Sequence, residues 1–115
     1  MVNRIVVGAH YGFRDWLAQR VTAVVMVLYT IIFFAGAASM ERMTYESWKA
    51  LFSGLFMRYA TFVFVVALAY HVWVGVRDIV MDYVWYPAPR LAIHVVVILL
   101  LVAYLGWAVH ILWRL

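Results

Sequence analysis

Residues 59–76 read YATFVFVVALAYHVWVGV, and this run without a charged side chain decides the class of fold. A helix that crosses the hydrocarbon core of a bilayer needs about 20 mainly apolar residues. The run and its flanking residues reach that length, so they predict a transmembrane helix. One imidazole, that of His71, lies inside the run. Ionisable side chains are rare within membrane segments and commonly mark a functional site.

The composition extends this interpretation to the whole chain. The chain has 115 residues, of which 70% are hydrophobic and 12% are charged, whereas a soluble domain is about half apolar and a quarter charged. An integral membrane protein is therefore predicted. The absence of cysteine excludes disulfides and cysteine-ligated iron–sulfur clusters within this chain. The basic residues are scattered near the ends of spans, which argues against a nucleic-acid partner and for contact with membrane lipid.

Hydropathy divides the chain into three apolar segments, at about residues 16–39, 58–84 and 91–113. They predict an all-α membrane protein with three transmembrane helices, forming one membrane-anchor domain over residues 1–115. Pro87 and Pro89 are expected to end the second span and form the turn. The first segment could alternatively be a signal peptide, but its apolar core exceeds the usual length of about 7–15 residues.

A short interfacial helix is predicted between the first and second spans. Thr44 can cap a helix that begins at Tyr45, and Trp48 and Phe52 then lie on one side of it. The positive-inside rule favours a cytoplasmic N-terminus, because five basic residues lie on that side and four on the other. The first group is Arg4, Arg14, Arg20, Arg77 and Arg90, and the second is Arg42, Lys49, Arg58 and Arg114.

At 100° per residue, His71, Gly75, Asp78 and Asp82 share one face of the second span. Three interpretations of His71 are open: a structural hydrogen bond to another helix, a proton relay with the aspartates, and axial ligation of haem iron. Gly75 would let a flat macrocycle approach the backbone, although small residues equally favour close helix packing.

The depth of the other histidines bears on the haem interpretation. His94 and His110 each lie eight residues from Val102, the midpoint of the third span. That separation corresponds to about 12 Å of depth at 1.5 Å rise per residue. Neither histidine can readily face His71 across one porphyrin, so a second axial histidine would have to come from another chain. His94 and His110 are expected to be interfacial or packing residues.

Other polar residues near the span ends are also candidates. Arg20 is either an interfacial arginine whose head reaches water or a partner for an anionic group such as a haem propionate. The phenol of Tyr83 can donate a hydrogen bond to a carbonyl oxygen. Asp82 lies about 16 Å along the helix from His71. A site at Tyr83 would therefore be a neighbour of a haem at His71, in an arrangement suited to electron transfer to a lipid-soluble carrier.

Three stretches carry a resemblance to a known family. Residues 71–84 read HVWVGVRDIVMDYV, residues 14–29 read RDWLAQRVTAVVMVLY, and residues 43–48 read MTYESW. Together with the length and the three spans, they resemble the smaller hydrophobic membrane-anchor subunit of bacterial succinate dehydrogenase (complex II). The likeness covers nearly the whole chain, and the first of these stretches is its most specific part. Arg14 departs from it, since a histidine is expected there.

The resemblance implies specific roles. Two anchor subunits together hold one haem b, and His71 would supply one axial ligand, with Arg20 near the propionates. Tyr83 would donate a hydrogen bond to ubiquinone, the substrate, with Asp82 beside it. A flavoprotein subunit would oxidise succinate, and an iron–sulfur subunit would pass electrons to the membrane edge. This chain would not be an enzyme on its own, and it would lie in the bacterial inner membrane.

Two alternatives remain open. One is the anchor of a fumarate reductase or another cytochrome b-type oxidoreductase. The other is a small non-redox membrane protein whose polar residues serve packing or proton conduction.

Overall fold

A computed structural model describes the backbone of residues 7–115 and the side chains of residues 12–115. Arg4, which entered the charge count above, lies outside the described residues. The described chain folds into four helices: α1 (Val7–Ala38), α2 (Tyr45–Ser53), α3 (Leu55–Tyr83) and α4 (Pro87–Leu112). Three of them contain apolar stretches long enough to cross a membrane, namely Gly12–Ala38, Leu55–Tyr83 and Pro87–Leu112. The predicted all-α architecture, with a short helix between the first and second spans, is confirmed.

The prolines of the second connection do not have the predicted place. Helix α3 ends at Tyr83, and Val84 has extended backbone angles, before either proline is reached. Pro87 is the first residue of α4, and Pro89 lies within its first turn. Proline is well suited to this position because the first amide groups of a helix have no intrahelical acceptor. The prolines therefore begin α4 instead of forming the turn.

Helix α2 has the predicted cap and contacts α1 through aromatic rings. The Thr44 hydroxyl accepts a hydrogen bond from the Ser47 amide at 3.2 Å. The rings of Trp48 and Phe52 are parallel to within 7°, with centroids 5.8 Å apart. Both rings lie against Phe33 of α1, at centroid distances of 5.7 and 6.1 Å. The short helix is thus held on the first span by its apolar side.

Helix α3 is the centre of the bundle, since it packs against α1, α2 and α4. Its alignment with α1 is antiparallel and is marked by two hydrogen bonds. Thr22 contacts His71 near the middle, and the Tyr29 hydroxyl lies 2.7 Å from the Thr61 hydroxyl further along. The N-terminal part of α1 and the C-terminal end of α3 therefore lie at the same end of the bundle.

Few side chains of the described region are fully buried. The buried apolar residues are Tyr29, Met57, Ala67, Val74, Val80 and Leu112. Most other large apolar side chains are exposed, including Val27 at 58% and Leu99 at 63%. Apolar surface of this extent is costly in water and is stable in lipid or against other membrane helices. The bundle is therefore built for a membrane environment.

Candidate functional site

His71 is half-buried and hydrogen-bonded to α1. Its Nδ1 atom lies 2.9 Å from the Oγ1 atom of Thr22. The same hydroxyl lies 2.7 Å from the Ala18 carbonyl oxygen and 3.2 Å from the Gln19 carbonyl oxygen. Thr22 is only 9% exposed and is the buried polar residue of the described region. A buried threonine of α1 thus fixes the imidazole of α3, because the two positions lie at the same depth.

One edge of this imidazole lines an apolar groove beside α1. The groove has a volume of about 370 Å³, and its lining consists of Ala23, Met26, Val27, Thr30, Ile31 and His71. Small and flexible apolar side chains dominate this lining, with one ring that can ligate a metal. Such a surface can accommodate the edge or face of a flat apolar group next to the histidine.

Gly75 lies one helical turn from His71 and faces α1. A Cβ atom added at this glycine would lie 3.8 Å from Nε2 of Gln19, which is an ordinary van der Waals contact. Neighbouring side chains of this chain therefore do not require glycine here. The Oε1 atom of Gln19 is buried without a hydrogen-bond partner in the described region.

A polar cleft opens at the same end of the bundle, near Gly75. It has a volume of about 480 Å³ and is lined by Gly12, Asp15, Trp16, Gln19, Arg20 and Asp78. The Arg20 guanidinium lies 5.4 Å from the centroid of the Trp16 ring, in a cation–π arrangement. Arg20 remains exposed there, so its charge is available to an anionic group.

An ion pair crosses the α1–α3 interface beside this cleft. Nη2 of Arg77 donates to a carboxylate oxygen of Asp15, 62 residues away in sequence. The two side chains are only 33% and 28% exposed, respectively. Sequence reasoning did not pair these residues. The contact follows once the Thr22–His71 level is known, because both residues lie about two helical turns from that level in an antiparallel helix pair.

Asp82 and Tyr83 lie at the C-terminal end of α3 and are both exposed, Tyr83 to 78%. The turn after them is held by Arg90 of α4, which donates from Nε at 3.0 Å and from Nη2 at 2.7 Å to the Val84 carbonyl oxygen. Arg90 thereby satisfies a carbonyl that the end of α3 leaves free. The phenol of Tyr83 is presented at the edge of the bundle on a fixed helix end.

The histidines of α4 have other contacts. The His94 ring lies edge-on to Trp73 of α3, with centroids 5.5 Å apart. Nε2 of His110 lies 3.1 Å from the Arg114 guanidinium. The structure brings neither of them to His71.

Two comparisons with known proteins bear on this arrangement. The family model described as "Succinate dehydrogenase/Fumarate reductase transmembrane subunit" matches residues 3–107. A "Succinate dehydrogenase hydrophobic membrane anchor subunit" from Coxiella burnetii (strain RSA 493 / Nine Mile phase I) is 37% identical over 102 residues, which is 89% of each chain. The chain belongs to the succinate dehydrogenase/fumarate reductase transmembrane subunit family. The resemblance described from the sequence is therefore confirmed, and so is the role of the chain as a multi-pass membrane anchor.

Two groups of polar residues lie along the α1–α3 side of the bundle. The first is the hydrogen-bonded pair Thr22 and His71, which borders an apolar groove. The second is the charged region with Asp15 and Arg77, from which α3 continues to Asp82 and Tyr83. A transmembrane subunit with this layout carries a potential metal ligand within the membrane and hydrogen-bonding groups at its edge.

Proposed function

We propose that this subunit anchors a succinate–ubiquinone oxidoreductase, supplies one axial ligand to haem b through His71, and forms part of the ubiquinone site through Tyr83. The observation that carries the proposal is the half-buried imidazole of His71, which opens on an apolar groove at mid-span in a member of this family. An imidazole at this depth, in such surroundings, is suited to haem iron.

The residues present fit a haem. His71 offers one ligand atom, because its Nδ1 is already engaged by Thr22. Arg20 is exposed at the adjoining polar cleft and can pair with a propionate. Gly75, which no neighbour within the chain requires to be glycine, can serve close packing of the macrocycle. When bound, haem b supplies a one-electron store beside the quinone site.

The second axial ligand belongs to another anchor subunit in this proposal. The other histidines whose side chains the structure describes are His94 and His110, which contact Trp73 and Arg114, respectively. Neither of them contacts His71, in agreement with the depth argument from the sequence, and Nε2 of His94 is buried without a hydrogen-bond partner in the described region. A second membrane anchor is therefore the expected partner on the groove beside His71.

Ubiquinone is expected at the C-terminal end of α3. The Tyr83 hydroxyl is exposed and can donate a hydrogen bond to a quinone carbonyl oxygen. Asp82 beside it can accept and return protons that quinone reduction requires. Arg77 is paired with Asp15, so it orients α1 on α3 instead of contacting quinone directly.

The remaining partners follow from this role. An iron–sulfur subunit would deliver electrons to the edge of the membrane, and a flavoprotein subunit would oxidise succinate, so this chain would have no catalytic machinery for succinate itself. The complex would lie in the bacterial inner membrane, with the N-terminus and the C-terminal end of α3 on the cytoplasmic side.

The test is a visible spectrum of the purified complex. We expect haem b bands, and we expect His71→Ala to lower the haem content while His94→Ala leaves it near the wild-type level. A wild-type complex without haem, or a His71→Ala complex with an unchanged spectrum, would refute ligation by this residue. A wild-type complex without haem would in addition favour a non-redox role.

The family description also covers fumarate reductase. Rates of succinate oxidation and of fumarate reduction by the same preparation, measured with quinone and quinol, separate the two activities. Fumarate reduction that is faster than succinate oxidation would favour the anchor of a fumarate reductase.

A further inference from the structure

We infer that Thr22 is a positioning residue that selects which nitrogen of His71 faces the iron and fixes the plane of its ring. This inference rests on the proposed haem ligation by His71. It concerns a residue of α1 that touches neither iron nor substrate and acts only through the imidazole. Its basis is the hydrogen-bonding pattern around one buried hydroxyl group.

The Thr22 hydroxyl has one proton and three neighbours. Two neighbours are the carbonyl oxygens of Ala18 at 2.7 Å and Gln19 at 3.2 Å. Carbonyl oxygens only accept hydrogen bonds, so the hydroxyl proton is directed at them. The third neighbour, Nδ1 of His71 at 2.9 Å, must then be the donor in its contact with Thr22. A neutral imidazole protonated on Nδ1 carries its lone pair on Nε2.

The opposite arrangement satisfies fewer contacts. If the hydroxyl donated to Nδ1, neither carbonyl contact of Thr22 would be a hydrogen bond, and Nε2 of His71 would carry the proton. A protonated Nε2 cannot bind iron. Thr22 is only 9% exposed. The apolar interior therefore contains no water that could replace a lost hydrogen bond of its hydroxyl. The arrangement with Nδ1–H donating to Thr22 is therefore favoured.

This contact is of the kind that supports metal-ligating histidines. Such residues usually donate their second ring N–H to a fixed acceptor, which sets the tautomer and the ring orientation. Here the acceptor is a neutral hydroxyl on a neighbouring helix. A neutral acceptor attracts the Nδ1 proton less strongly than a carboxylate would. The packing of α1 against α3 therefore sets the tautomer and the orientation of the His71 ring.

Three threonine variants of the assembled complex test the inference. Thr22→Val keeps the shape of the side chain and removes the acceptor, whereas Thr22→Ser keeps the acceptor. Thr61→Val is the matched control, because Thr61 does not line the groove beside His71. Its hydroxyl is bonded to the Met57 carbonyl oxygen of its own helix and contacts the Tyr29 hydroxyl of the neighbouring helix. The readouts are haem content, the EPR g-values of the oxidised haem, and its midpoint potential.

We expect Thr22→Val to weaken haem retention by roughly 10–100-fold, as loss of such a partner typically does, and to shift the g-values. Thr22→Ser and Thr61→Val should resemble the wild type in haem content, g-values and midpoint potential. If haem is present and depends on His71 while Thr22→Val matches the wild type in all three readouts, the inference is overturned. Haem that is absent or independent of His71 overturns the proposed ligation itself, so the two failures are distinguishable.

If the Thr22→Val complex does not assemble, pulsed EPR of the wild-type complex tests the inference instead. We expect the remote ring nitrogen of His71, assigned by its loss in His71→Ala or by selective labelling, to carry a hydrogen-bonded proton. A remote nitrogen without a proton, or coordination through Nδ1, would overturn the inference.

Discussion

Asp15 in α1 and Arg77 in α3, which are 62 residues apart in sequence, form an ion pair across the interface between the two helices. The pair lies beyond the Thr22–His71 contact toward the polar end of the bundle. It therefore restricts sliding and rotation of α1 against α3 near the proposed haem and quinone positions.

Loss of one member of this pair should destabilise the complex. Arg77→Gln leaves the Asp15 carboxylate partly buried without its cation, and we expect a loss of roughly 1–2 kcal/mol, between the values typical of exposed and buried pairs. Thermal unfolding of the purified complex measures this. Arg14→Gln, at an exposed neighbouring position, is the control and should have little effect. A double variant Asp15→Asn/Arg77→Gln should be less harmful than the single change, and an equal or larger loss would contradict a role as a pair.

Tyr83→Phe should lower ubiquinone reduction about fivefold, because one neutral hydrogen bond to the substrate is worth about 1 kcal/mol. Succinate oxidation with an artificial acceptor should be retained, since Tyr83 is 78% exposed and its hydroxyl does not support packing. Tyr86→Phe is a matched control at the same end of the bundle, with Tyr86 75% exposed. An equal loss of both activities would indicate defective assembly instead.

Arg90→Gln should loosen the helix end that presents Tyr83. The guanidinium donates twice to the Val84 carbonyl oxygen, and hydrogen bonds from a charged donor contribute about 1.5–3 kcal/mol. We expect faster amide hydrogen exchange at residues 81–86 and weaker quinone binding, seen as a higher KM. Arg114→Gln, at the far end of α4, should leave both unchanged. Unaltered exchange in Arg90→Gln would show that the turn does not depend on this side chain.

Larger side chains at Gly36 test the packing of α2 against α1. A Cβ atom there would lie 2.8 Å from Cδ1 of Leu51 in α2, so this leucine has to move. Because the contact is with the end of a flexible side chain, Gly36→Ala should be tolerated, whereas Gly36→Val should lower thermal stability. Leu51→Ala should partly rescue Gly36→Val. Gly106→Ala is the control, since nothing lies within 4 Å of the added atom. A fully stable Gly36→Val would show that α2 does not lie against α1 at this glycine.

The sequence by itself determined the class of fold and indicated the candidate residues of the site. Long apolar segments can only cross a bilayer as helices, since every backbone polar group must be satisfied internally. Thr44 marked the start of α2 because its hydroxyl satisfies a free amide, which is a local effect. His71 was conspicuous because imidazole is costly among apolar residues. The prediction for the prolines was wrong, since the same ring that stops a helix also suits its first turn.

Only the tertiary structure decided which residues of α1 face α3. The partner of His71 is Thr22, 49 residues away, and that of Arg77 is Asp15. Hydropathy carries no information about the register and rotation of two apolar helices, because lipid and protein are similarly apolar surroundings. Register is set by side-chain packing and a few polar contacts between helices. For this reason the sequence could indicate the candidate ligand, whereas the residue that orients it required the folded chain.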